Sequence, residues 1–169
     1  TDEDGAVLFV EPGERRVANR MIEEFMLEAN RVVAEHCFWM DLPFVYRVHE
    51  RPDQMKMEEL KRFAGSLGLT FRGSCINVRP KTIQDLLLQA KERDCGTVIG
   101  RIALRSMKKA VYDTECKGHF GLGFRYYCHF TSPIRRYPDL IVHRILKDTI
   151  RGTADMKRYR RLTKLTREA

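Results

Sequence analysis

The chain has 169 residues, 43% of them hydrophobic, enough for one domain to bury a core without disulfide staples. No run approaches the roughly 18 unbroken apolar residues of a membrane span, and the opening TDEDG is acidic where a signal peptide would be basic, so a cytoplasmic protein without membrane attachment is expected. The formal charge of +8 is uneven, with 14 Lys/Arg against 17 Asp/Glu in residues 1–100 and 17 against 6 in residues 101–169, and the basic second part would attract phosphate polyanions or an acidic lipid surface. The five cysteines are odd in number and lack any CxxC pair, which argues against a disulfide framework or a thiol redox motif.

In chain order, residues 5–11 (GAVLFVE) read as a strand closed by Pro12-Gly13. From residue 17 to about 37, Val17, Met21, Ile22, Phe25, Met26, Ala29, Val32 and Val33 recur at spacings of three and four, which predicts a helix with a core-facing stripe. Residues 43–49 (PFVYRVH) read as a buried strand. Asp53 is placed to cap a helix carrying Met57, Leu60, Phe63, Ala64 and Leu67 that Gly68 ends, and Trp39 and the methionines are expected in the core. Thr82 is the expected cap of a helix to about residue 93, and Thr97 of one to residue 109. Beyond Ala110 the glycines at 118, 121 and 123 predict a loop or irregular strand. A helix then enters at Pro138 and runs to about residue 150, and the tail from Asp155 has helical spacing. No repeat or low-complexity tract is present. Helices outweigh short strands, so the fold class is α+β, predominantly helical.

The sharpest chemical feature is TSPIRRYPD. Ser132 before Pro133 has the pattern of a helix cap, and Arg135 and Arg136 follow one turn on, so helix-start amides and a guanidinium fork would form an anion site suited to a phosphodiester. The alternative is an arginine pair on a solvated face. Adjacent residues of a helix point about 100° apart, so at most one arginine would face a given ligand.

The segment HFGLGFRYYCHFTSPIRRYPDLIVHRIL resembles the central motif of the RNB family, the exoribonucleases of the ribonuclease II and ribonuclease R type. MIEEFMLEANRVVAE, LPFVYRVHERPD and LRSMKKAVY resemble its other blocks in the expected order, and bacterial ribonuclease R is most similar in look. The resemblance covers nearly all of residues 5–152. It implies that residues 1–169 are the second part of an RNB catalytic domain, belonging to a 3′→5′ hydrolase that degrades single-stranded RNA processively to nucleoside 5′-monophosphates. It further implies that Arg135 contacts the phosphate being cleaved and that Glu23 contacts the ribose near the 3′ end; beside them, Ser132, Arg136, Tyr137 and Asn30 are read as the RNA-binding surface. Magnesium is the implied cofactor. Its aspartate ligands belong to the upstream part of the same catalytic domain, which is the implied partner beside RNA, and the chain itself is expected to supply no metal ligand and to be inactive alone. Asp2 and Asp4 are the only closely spaced aspartates. The cold-shock-like OB domains and the S1 domain of the family have no counterpart here.

Helix geometry independently favours Glu23 over Glu24. Counted from Ile22, Glu24, Glu28, Arg31 and Glu35 fall at about 180–240°, whereas Glu23 at about 100° and Asn30 at about 80° share the border of the apolar stripe. A carboxylate there would accept a 2′-OH hydrogen bond and so tell RNA from DNA; the plainer reading is a boundary Glu–Asn contact. Asp139 and His143, spaced i, i+4, read as a structural pair more readily than as a general base. Cys116, His119, Cys128 and His129 lack paired-ligand spacing for zinc. Phe124, Tyr126 and Tyr127 suit base stacking and core packing equally.

Overall fold

The computed structural model describes residues 13–14 and 16–168, so the strand expected over 5–11, and Asp2 and Asp4, lie outside the described residues. The fold is α+β and predominantly helical: α1 (Val17–Trp39), β1 (Tyr46–Val48), α2 (Gln54–Ser66), α3 (Pro80–Glu92), α4 (Gly96–Ser106), β2 (Val111–Asp113), a short 3-10 turn (Phe120–Leu122), α5 (Tyr137–Ile150) and α6 (Met156–Glu168). β1 and β2 pair antiparallel with Arg47 opposite Tyr112. β2 was not legible because its three residues sit among polar neighbours, too short for an alternating pattern to show.

Two apolar cores form. In one, Met57, Leu60 and Ala64 of α2 meet Ile83, Leu86 and Ala90 of α3, Ile99 and Ala103 of α4, and Phe120. In the other, Ala34 and Cys37 of α1 meet Phe44, Tyr46 and Val48, Tyr126 and Cys128, Ile141, Val142 and Ile145 of α5, and Tyr159 of α6. Residues 118–128 run between them. Phe120 enters the first core while Tyr126 and Cys128 enter the second. Segment 118–124 is tied back to His49, whose backbone N–H donates to Gly118 O (3.0 Å) and whose carbonyl accepts from Phe120 N–H (2.7 Å). Gly121 lies so close that a Cβ there would stand 2.8 Å from His49 Nδ1, and Gly118 holds a φ of +78°, a region that favours glycine.

Helix ends follow local chemistry. Asp53 caps α2 as expected, accepting from Met55 N–H (2.9 Å) and Lys56 N–H (3.4 Å), and Gly68 (φ +71°) follows its end. Asp53→Ala is expected to lower stability by about 1 kcal/mol, read as a shift of the urea midpoint at unchanged slope. α3 begins earlier than expected, at Pro80 with Arg79 as cap, so Thr82 lies inside the first turn. The rigid φ of proline, needing no N–H partner, starts this helix better than a threonine hydroxyl. α4 is capped by Cys95, not Thr97, and ends at Ser106. Asp155 accepts from Arg158 N–H (3.0 Å) at the start of α6.

The expected core-facing stripe of α1 requires correction. Its second half packs, with Ala34 and Cys37 fully buried, but Val17, Met21, Ile22, Phe25 and Val32 are exposed, and Trp39 is 69% exposed rather than in the core. Periodicity identifies the apolar face of a helix and not what covers it.

Candidate nucleic-acid interface

The TSPIRRYPD segment is not a helix start at Ser132. Residues 133–135 form a turn closed by Ser132 O, which accepts from Arg135 N–H (3.3 Å) and Arg136 N–H (3.1 Å), and α5 starts only at Tyr137 with Arg136 as cap. The expected amide cradle at Ser132 is thereby corrected: Pro138, not Pro133, sits in the first helical turn, and the amides of residues 135 and 136 are consumed within the turn. Ser132 N–H donates instead to Asp139 Oδ1 (2.8 Å). The same oxygen accepts from Arg136 Nη2 (2.7 Å), and Asp139 is fully buried.

The two arginines consequently differ. Arg136 is half-buried and ion-paired, whereas Arg135 is exposed and its side chain has no ion pair or hydrogen-bond partner among the described residues. Tyr137 is exposed at the first position of α5. Arg47 stacks 4.6 Å over the Tyr112 ring, and Tyr112 Oη shares a 2.8 Å hydrogen bond with His129 Nδ1. Burial pushes the Tyr112 hydroxyl upward in pKa, while Arg47, Arg136 and Arg135 pull it down, so the three guanidiniums act on one spot.

Asn30 is buried rather than on a border. Its Nδ2 donates to Tyr127 Oη (3.1 Å), its Oδ1 accepts from Phe130 N–H (2.9 Å) and Thr131 N–H (3.2 Å), and its carbonyl accepts from Cys128 S–H (3.3 Å). With these atoms engaged, Asn30 holds the segment leading to Arg135 against α1, which corrects its expected place on the border of the apolar stripe. Glu23 is half-buried on the same line of α1, two turns or about 10 Å before Asn30. Asp139 and His143 are structural but not through each other: His143 Nε2 bonds Phe130 O (2.9 Å) and its ring stacks on Phe130 at 4.2 Å. Tyr126 and Tyr127 are core residues, each 6% exposed. The organising roles of Asn30 and Asp139 were missed; the one usable signal was the i, i+3 spacing of Arg136 and Asp139.

Burial leaves two imidazoles of this region neutral. It depresses the pKa of His129 to about 4, with Arg136 and Arg47 adding to the effect, and that of His119 to about 4, with His49 and Arg47 adding. Because the unfolded value is near 6.5, the unfolded chain takes up these protons first as pH falls. Their contribution to stability is therefore full above about pH 6.5 and is lost towards pH 4. The urea midpoint is expected to fall across that window in the native protein and to fall less in a His119→Gln, His129→Gln variant.

Among the described residues no group of three His, Cys, Asp or Glu side chains is placed to hold a metal ion, and no helix is long and apolar enough to cross a membrane. The RNB domain family matches residues 1–152. The chain belongs to the RNB family. Among RNB relatives, ribonuclease R of Thermotoga maritima is 45% identical over 146 residues, which is 86% of this chain and 20% of that protein. The solved Mycoplasma genitalium RNase R in complex with ribose-methylated single-stranded RNA superposes with a TM-score of 0.81 at 31% identity, over 89% of this chain and 24% of that one. A yeast pseudonuclease structure superposes with a TM-score of 0.73 at 26% identity, over 90% of this chain and 20% of that one. The chain spans about a fifth of the length of the curated RNB relatives it matches. Since a pseudonuclease shares the fold, the RNB architecture alone does not establish turnover, which depends on individual side chains.

Proposed function

We propose that residues 1–169 form the second part of an RNB catalytic domain in a 3′→5′ exoribonuclease that hydrolyses single-stranded RNA processively to nucleoside 5′-monophosphates. The observation that carries this reading is Arg135, an exposed guanidinium without a protein partner among the described residues, standing on a turn that a buried carboxylate clamps. As water attacks the scissile phosphodiester, negative charge grows on the phosphorane oxygens. A guanidinium held ready there stabilises that charge without reorganising, and its planar fork suits two phosphate oxygens at once. Glu23 is assigned to the ribose 2′-OH, and Ser132, Arg136 and Tyr137 to shaping the approach to Arg135.

Magnesium would supply the activated water and neutralise the leaving oxygen. The described residues do not fit such an ion, so its ligands are assigned to the upstream part of the same catalytic domain. The exposed apolar half of α1 is the surface offered to that part. A second reading, an inactive RNA-binding or interaction fragment, is favoured by the same lack of a metal-ligand group among the described residues. The two readings combine in one test: residues 1–169 with magnesium should release no mononucleotide from 3′-labelled RNA, and joined to the upstream part they should. Release by the chain alone, or none from the joined protein, rejects the assignment. Affinity of the chain for single-stranded RNA should fall with salt at a log–log slope of about 0.7 per phosphate neutralised, and a flat response would mean that the basic second part does not touch RNA.

A further inference from the structure

Where residues 118–124 pass between the two cores, they border a cleft of about 420 Å³ that the nuclease mechanism does not use. Four cationic side chains from three separate stretches of chain line it, Arg51, Arg79, Lys117 and Arg125, and no carboxylate does. Lys117 is already neutralised by Asp113 (2.8 Å) and Glu115 (3.1 Å). The other three are not. Arg51 Nη1 donates to the neutral Asn77 Oδ1 (3.1 Å), Arg125 lies 5.3 Å over the Tyr126 ring, and neither they nor Arg79 have an ion pair among the described residues.

The backbone adds to this charge. Arg79 and Pro80 open α3, a helix of 13 residues with no acidic side chain in its first turn, so its positive end meets the cleft uncompensated. His49 and His119, also in the lining, lie 5.2 Å apart, ring to ring, and Phe124 lines the cleft as well. His49 Nδ1 accepts from Gly121 N–H (3.0 Å), so a ring hydrogen sits on Nε2, and that buried atom has no partner among the described residues. The volume lies within the range of pockets that hold a small ligand.

We propose that this cleft binds a backbone phosphate of single-stranded RNA through Arg51, Arg79 and Arg125, with the start of α3 behind it, as a second RNA contact apart from Arg135. Three guanidiniums on separate segments, with aromatic rings alongside, suit a phosphate that carries a base and a neighbouring nucleotide better than a lone anion. The proposal shares with the nuclease reading only the identity of the polyanion, and the two can fail separately.

The test is an amide ¹H–¹⁵N titration of the whole 169-residue chain with a 5′-phosphorylated uridine trinucleotide. The amides of Gly118, Gly121 and Gly123 are expected to shift to saturation. Arg79→Gln with Arg125→Gln should weaken the apparent affinity about tenfold or more, as expected for losing charged hydrogen bonds. Arg135→Ala should leave the loop response intact. If only the amides around residues 132–136 respond, the cleft assignment is overturned while the Arg135 reading stands. If the loop responds and 132–136 stay silent, the cleft assignment holds and the Arg135 reading loses support. Silence at the loop in the native chain overturns it without any variant, and an equal response to inorganic phosphate at matched concentration overturns the RNA identity.

Discussion

Arg135→Ala, introduced into a catalytically competent protein containing residues 1–169, is expected to lower kcat about 100-fold or more while changing RNA affinity by only a few-fold. The asymmetry follows from where the side chain stands. Arg135 is exposed and carries no structural contact from its side chain among the described residues, so its removal opens no cavity and strands no partner. In the proposed role, what is lost is a donor for charge that exists fully only in the transition state, and such a loss falls on kcat rather than on ground-state binding. Lysine at this position should restore part of the rate, since it keeps the charge but not the two-pronged geometry. Single-turnover kinetics at saturating enzyme would show an unchanged rate if Arg135 were only a surface cation, and that result would end its assignment to the scissile phosphate.

The second large effect is expected on stability. Asp139 is fully buried, and one carboxylate oxygen receives both Ser132 N–H and the Arg136 guanidinium. Asp139→Ala would leave the half-buried Arg136 without its counter-charge and release the turn that presents Arg135. Breaking one side of a buried pair in this way costs about 3–5 kcal/mol. Urea unfolding should show the whole shift in the midpoint, and catalysis in a competent protein should fall with it at temperatures where the fold persists. A change below about 1 kcal/mol would mean that the carboxylate is not what holds the turn. Asp139→Asn separates the roles further, because an amide oxygen can still accept from Ser132 while the ionic attraction to Arg136 is gone.

Much of this was legible in the residues themselves. Asp53 and Gly68 marked α2 because a side-chain cap and a left-handed glycine are local devices, decided within a few residues. Pro138 marked the entry to α5 for the same reason. Arg135 was separable from Arg136 in principle, as only one of two adjacent residues faces a given direction, but which one was fixed by Asp139 three residues later and by burial that no pattern displays. Ser132 misled because a serine before a proline is a good cap in general; here a turn intervenes and the helix starts five residues later. Asn30 misled because angle around a helix does not reveal what lies across from it. Its neighbours, residues 127–131, are about 100 positions away in sequence. The α1 stripe shows the converse case, a correct pattern with its expected cover absent from the described residues.

Because one stretch of backbone between residues 118 and 128 is built into both apolar cores at once, neither core can loosen without pulling on it. Local melting of that stretch therefore requires disrupting two packed bodies, and its amides should exchange with solvent only near the free energy of global unfolding. RNA-contacting loops are usually drawn from the softest parts of a protein. Here the strip leading to Arg135 is spliced into two packed cores, so a mutation in either core is expected to reach, at a distance, the surface that carries Arg135.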